Sequence, residues 1–233
     1  MASYEKGTFQ RDFNKYAGSS DLSKAPKSMI KERELSEKRK HRMKLWTTFY
    51  RRNVHRFVEH YFGIKLFPYQ KIWIYMMGKS DVFMAIGSRS IAKSWLIGAY
   101  ALAMGTLYPG SKIVIAAGSM EQAGLIVKDK IKGDFQRNYP NVAREIKNIV
   151  SSKSEHYVEL HNGTTIKVVP AADTARGNRS TLNIYEEFRI IKKEVKDSIL
   201  APFLFSRQPP YLKNPEYAHL IEEPKEIYIS SAW

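Results

Sequence analysis

The chain has 233 residues, 43% apolar and 12% aromatic, with no cysteine and a formal net charge of +15. That length and apolar share suit one α/β domain with an appendage and exclude global disorder. The absence of cysteine excludes a disulfide scaffold and thiolate metal sites, and the surplus positive charge points to a polyanionic partner.

The charge is uneven: residues 1–60 hold 15 Lys and Arg against 7 Asp and Glu. Residues 1–28 are polar, with Gly18-Ser19-Ser20 and Pro26, and read as a loosely ordered arm. The first residues lack the apolar core of a signal peptide, and no apolar run nears the roughly 20 residues that span a bilayer. A soluble, intracellular protein is the expectation. From Lys31 to Lys44 seven cations interleave with Glu32, Glu34 and Glu37, as on a solvated helix. Leu45, Trp46, Phe49, Tyr50, Val54, Phe57, Val58 and Tyr61 then recur at helical spacing, so this half packs on something.

After Gly63 short strands alternate with helices, which predicts a mainly parallel sheet. Pro68 opens a helix carrying Gln70. Val82–Ile86 reads as a strand, residues 87–94 as a loop, and Trp95–Leu107 as a helix stopped by Tyr108-Pro109-Gly110. Lys112–Ala117 is a buried strand, and residues 121–138 are helical despite Gly124 and Gly133. Tyr157–Leu160 and Thr165–Val169 flank Asn162-Gly163, a pair suited to a type I′ hairpin. Leu182–Tyr185 is a strand ending in Glu186-Glu187, residues 190–200 read as a short helix, and Glu226–Ser230 is the last strand.

The chemistry centres on Gly87-Ser88-Arg89-Ser90-Ile91-Ala92-Lys93-Ser94. A strand, a small-residue loop, Lys-Ser and a helix are the parts of a P-loop. Its backbone N–H groups cradle a triphosphate, Lys93 reaches the β- and γ-phosphates, and the Ser94 hydroxyl helps hold Mg²⁺. Ala92 stands where glycine normally precedes the lysine, and its methyl group predicts a negative φ there. Glu186 and Glu187 supply the second half of an ATP-hydrolysing site, Glu186 supporting the metal and Glu187 polarising water. Gln70, in Phe67-Pro68-Tyr69-Gln70, carries an amide that can both give and take hydrogen bonds on an adenine edge. The six His are scattered, and apart from the acidic pair no cluster has metal-ligand spacing.

Taken in order, the glutamine motif, Gly87–Ser94, Ala116–Ala123, Thr174-Ala175-Arg176-Gly177, Glu186-Glu187 and Ser230-Ser231-Ala232 make a recognisable series. Over residues 61–233 it resembles the N-terminal ATPase domain of the large terminase subunit of tailed bacteriophages. The resemblance implies a P-loop NTPase: an α/β fold, mainly parallel sheet flanked by helices, with a basic, partly helical N-terminal extension over residues 1–60. It implies Lys93 and Ser94 as the Walker A pair, Glu186 and Glu187 as the Walker B pair, and Arg89 as the arginine inside the loop. Arg176, with Arg179 as runner-up, matches the arginine-finger element, and Ser230-Ser231-Ala232 matches the coupling motif. ATP and Mg²⁺ are the implied cofactors. Double-stranded DNA, the portal protein and the small terminase subunit are the implied partners, with a homo-oligomeric ring on the portal in the host cytoplasm and no membrane. The family's RNase H-like nuclease follows the ATPase domain and is not expected in this chain.

Two departures stand out: Ala92 for Gly, and Glu186 for the more frequent Asp, whose extra methylene shifts metal contact toward a bridging water. The alternatives are a helicase-like translocase and a DNA- or partner-binding module with a degenerate nucleotide site.

Overall fold

A seven-stranded sheet forms from the alternating segments in the computed structural model, which describes residues 27–207, 209–213, 215 and 222–232. Most of the polar arm therefore lies outside the described residues. Helix α1 (Lys27–Arg52) carries the basic run, and the chain breaks at Asn53 before α2 (Val54–His60). Residues to Phe49 belong to one compact unit and those from Tyr50 onward to another. The second unit thus takes in the last residues of the segment read as arm, because Val54, Phe57 and Val58 on α2 are buried in its core.

Helix α3 (Pro68–Lys79) begins at its proline and leads to β1 (Val82–Gly87). Helix α4 (Lys93–Leu107) is buried nearly all round, as a central helix must be when its sequence is apolar on every face. It is followed by β2 (Lys112–Ala117) and α5 (Met120–Leu125). The helix predicted over 121–138 then widens into a π-helix over Ile126–Phe135, its buried stripe being Ile126, Val127, Ile131 and Phe135. Helix α6 (Pro140–Glu145) precedes β3 (Ile146–Ser151), β4 (His156–Leu160) and β5 (Thr165–Pro170). Strands β6 (Leu182–Glu186) and β7 (Lys225–Ser231) complete the sheet.

The spatial order is β1-β7-β6-β2-β5-β4-β3. The first five strands in that order are mutually parallel, and β4 pairs antiparallel with both β5 and β3. The main core lies on the face covered by α2, α3, α4 and the π-helix. A smaller core on the other face joins Tyr185 and Tyr228 to Ile199, Leu200 and Phe203. Strand β1 is at the sheet edge, with Val82, Met84 and Ile86 each more than half exposed.

Three expectations are corrected. The β4–β5 connection is not a type I′ turn, because only Gly163 has positive φ; the Asn162 amide instead donates to Gly105 O at 2.8 Å and its oxygen accepts from Thr164 N–H. Residues 190–200 are not one helix but a broken run of 3₁₀, α and π turns, interrupted by extended Ile191 and Lys192. Ala92 has φ +59°, not a negative value. Among the described residues no helix is long and apolar enough to cross a membrane.

Candidate functional site

Strand register places three sequence-predicted groups side by side. Gly87 at the end of β1 pairs with Ser231 on β7, and Ile229 on β7 pairs with Glu186 on β6. The phosphate-type loop, the serine pair and the acidic pair therefore emerge from the C-terminal ends of three adjacent parallel strands, the edge of an open α/β sheet where ligands bind. The N–H of Ala232 donates to Gly87 O at 2.8 Å and ties the ends of β7 and β1 together.

Gly87 is fixed by crowding. A Cβ there would lie 2.3 Å from Ile91 Cδ1 and 3.0 Å from the Trp73 ring. Beyond it the loop turns through two left-handed residues, Ser90 (φ 66°) and Ala92 (φ 59°). Such residues cost free energy and persist where the surroundings impose them. The turn delivers Lys93 and Ser94 into the first turn of α4, whose N-terminus has no side-chain cap. Lys93 is buried, and its ammonium donates to Ser88 O at 2.8 Å, folding across its own loop. The Tyr69 hydroxyl donates to Ile91 O and anchors the loop to α3.

Ser94 Oγ hydrogen-bonds directly to Glu186 Oε1, although the two residues are 92 positions apart. Glu186 is almost fully buried. Burial is the leading influence and pushes its carboxyl above the ordinary range; the Ser94 hydroxyl opposes this, while the charge of Glu187 adds to it. A buried carboxylate touching a hydroxyl is a hard-oxygen pair, and Mg²⁺ typically takes one or two carboxylates and completes its shell with phosphates and water. The donor set fits that ion. Among the described residues no group of three or more His, Cys, Asp or Glu could hold a metal by itself.

Glu187 adopts a left-handed backbone at φ 48°. Its carboxylate accepts from Ser230 Oγ at 2.9 Å, from Ser231 N–H at 2.8 Å and from Ser231 Oγ at 2.5 Å. Partial burial works to raise its pKa, but these three hydrogen bonds and the nearby Lys93 outweigh it and hold the carboxyl below the ordinary value. Glu187 is thus ionised and engaged by the serine pair.

Other predicted residues sit apart. Gln70 is buried, and its Oε1 accepts from the Phe67 backbone N–H, which commits the oxygen to capping α3. Arg89 is exposed on the loop, as are Ser88 and Ser90. Arg176 follows a 3₁₀ turn beyond β5, and its guanidinium pairs with Asp173 at 3.1 Å rather than with the acidic pair. Arg179 is exposed three residues on.

The crystal structure of the HK97 bacteriophage large terminase superposes with a TM-score of 0.55 at 21% identity, over 76% of this chain and 37% of that one. The chain has the fold of a phage large terminase. It spans little more than a third of the HK97 protein's length. The large terminase ATPase domain of Thermus phage P74-26 aligns at a TM-score of 0.49 and 17% identity, over 74% of this chain and 67% of that one. No protein-family model matches the chain, and no curated protein does.

In this terminase fold a cavity of about 280 Å³ opens beside the acidic pair. Ser94, Glu186 and Glu187 form one wall, and Gln122, Asp129 and Lys130 contribute to the other. Gln122 belongs to the Ala116–Ala123 motif, whereas Asp129 and Lys130 escaped the sequence reading. The one signal of those two is position: they lie on the helix that follows the second strand, about two turns past that motif.

Proposed function

We propose that the chain is the ATP-hydrolysing motor domain of a viral DNA-packaging terminase, moving double-stranded DNA into a procapsid. The observation that carries this reading is the contact of Ser94 with Glu186, beside a Glu187 held in ionised form. It unites the Walker A and Walker B segments at one sheet edge, as ATP hydrolysis requires.

Loop residues 87–92 and the N-terminus of α4 would receive the triphosphate through backbone N–H groups, with Lys93 turning from Ser88 O to the β- and γ-phosphates. Ser94 and Glu186 would hold Mg²⁺, which when bound neutralises charge on the phosphoryl oxygens. Glu187, freed from Ser230 and Ser231, would accept a proton from the attacking water or orient it. Because those serines end β7, exchange of their hydrogen bonds links the state of the site to the position of that strand. Arg176 would act as an arginine finger only once a neighbouring subunit or loop movement separates it from Asp173. The basic N-terminal region would contact DNA phosphates, the portal or the small subunit.

The test is steady-state ATP hydrolysis by the 233-residue chain, with and without double-stranded DNA, beside Lys93→Ala and Glu187→Gln. Turnover abolished in both variants places the reaction at these residues. Turnover equal in wild type and variants, with DNA present and at high protein concentration, refutes the proposal. Strand separation in a helicase assay would replace packaging with the helicase-like reading.

A further inference from the structure

The cavity beside the acidic pair is lined by a cation, Lys130, that neither the loop nor the strand motifs supply. Ser94, Glu186 and Glu187 line one side and Lys130 reaches the other, from the π-helical segment. The segment is mounted firmly on the phosphate-loop helix. Trp95, the residue after Ser94, donates its indole N–H to Asp134 Oδ2 at 2.6 Å and packs its ring on Phe135 at 5.0 Å. Gly98, one turn further along α4, leaves the room this needs: a Cβ there would lie 3.1 Å from the Phe135 ring and 3.8 Å from the Lys130 Cβ. Lys130 is therefore held across α4 from a fixed base, half-buried, and lines the same cavity as Ser94.

We propose that Lys130 is a second phosphate-facing cation, which contacts the terminal phosphate of a bound nucleoside triphosphate from the side opposite Lys93. The inference rests on the nucleotide-binding reading above and adds a substrate contact to it. The charge balance of the cavity favours it. Glu186 and Glu187 line one wall and Asp129 the other, so a triphosphate entering there meets like charge on both sides. Lys93 and a bound Mg²⁺ would offset that repulsion from the loop, and Lys130 is the cation among the residues lining the cavity. The field of Lys130 already reaches Glu186, where it favours the ionised form. π-Helical turns recur at functional sites because the extra residue per turn re-aims side chains; here the wide turn holds Lys130 toward the cavity while Ile126, Val127 and Ile131 remain in the core.

A purely structural role, in which Lys130 only offsets the buried Glu186, makes a different forecast. It would alter metal binding and so weaken every Mg²⁺-nucleotide alike. The experiment measures the affinity of the chain for Mg·ATPγS and Mg·ADP by calorimetry, in wild type, Lys130→Met, Lys130→Gln and Lys130→Arg. A phosphate-facing cation predicts that Met and Gln weaken ATPγS about tenfold, or about 1.4 kcal/mol, with ADP changed less than twofold, and that Arg restores most of the loss. Equal loss for both nucleotides, or no loss for either, overturns the proposal. Two neutral replacements of different polarity, each checked by thermal melting, separate a binding defect from a folding defect. Failure of the wild type to bind either nucleotide would overturn the underlying nucleotide reading as well, an outcome distinct from failure of Lys130 alone.

Discussion

Ala92 offers the cleanest probe of the loop. Its φ of 59° and ψ of 36° put an alanine in left-handed backbone, immediately before the lysine. For an L-residue with a Cβ that conformation costs roughly 1–2 kcal/mol, and glycine escapes the cost. Glycine in turn loses more freedom on folding, about 0.4–1 kcal/mol. The Ala92 methyl is exposed, so removing it forfeits no packing, and the Leu96 N–H···O=C Ala92 bond survives the change. The balance predicts that Ala92→Gly stabilises the chain by about 0.5–1 kcal/mol. At roughly 2–4 °C per kcal/mol for a domain of this size, Tm should rise by about 1–4 °C. Ala92→Val should do the opposite, because a β-branched residue at positive φ is a true outlier and costs a further 1 kcal/mol or so. Thermal and urea melts of the three proteins give the answer. A valine variant as stable as the alanine one, with glycine no more stable than either, would refute the left-handed loop.

Ser231→Ala removes the shortest of the three hydrogen bonds holding Glu187 ionised. Its carboxyl pKa should rise, so the acid limb of the ATPase pH profile should move to higher pH; an unmoved limb would deny Glu187 its place in the reaction. Without that bond the carboxylate also contributes less stability above its unfolded pKa, so the acid melting transition should begin at higher pH. Arg176→Ala should change stability by less than about 0.5 kcal/mol, since its pair with Asp173 is largely exposed, and a melt tests this directly. In assembled rings the same variant should lose turnover by about a thousandfold or more if Arg176 serves as the finger. DNA affinity, measured by fluorescence anisotropy, should fall linearly on a log-log plot against salt and vary little with sequence; a flat salt response would exclude phosphate-dominated contact.

Much of the sheet was legible because its central strands announce themselves. Lys112–Ala117 and Leu182–Tyr185 are short apolar runs bounded by turn residues, as buried parallel strands are. Strand β3 was not, because it lies at an edge with Lys147 and Asn148 exposed and a register irregularity beside them. The loop and the acidic pair were read from residue types alone, whereas their meeting through Ser94 and Glu186 depends on strand order. The sign of φ at Ala92 could not be read from composition, since the Tyr69 hydroxyl's bond to Ile91 O and the crowding of Ile91 and Trp73 around Gly87 hold the loop. Lys130 and Asp129 were invisible for a related reason: a helix surface faces the site only once Trp95 and Phe135 have docked.

Strand β1 has one neighbour among the described residues, and that neighbour is β7. The strand that leads into the loop is thus bracketed in the sheet on one side only, and that bracket also carries the serines that grip Glu187. Slack in that one seam would reach the lysine and the carboxylate together, so under the proposed function nucleotide grip and water activation would share a common mechanical tolerance. A partner strand laid along the bare Val82–Ile86 edge would stiffen both at once, without touching either residue.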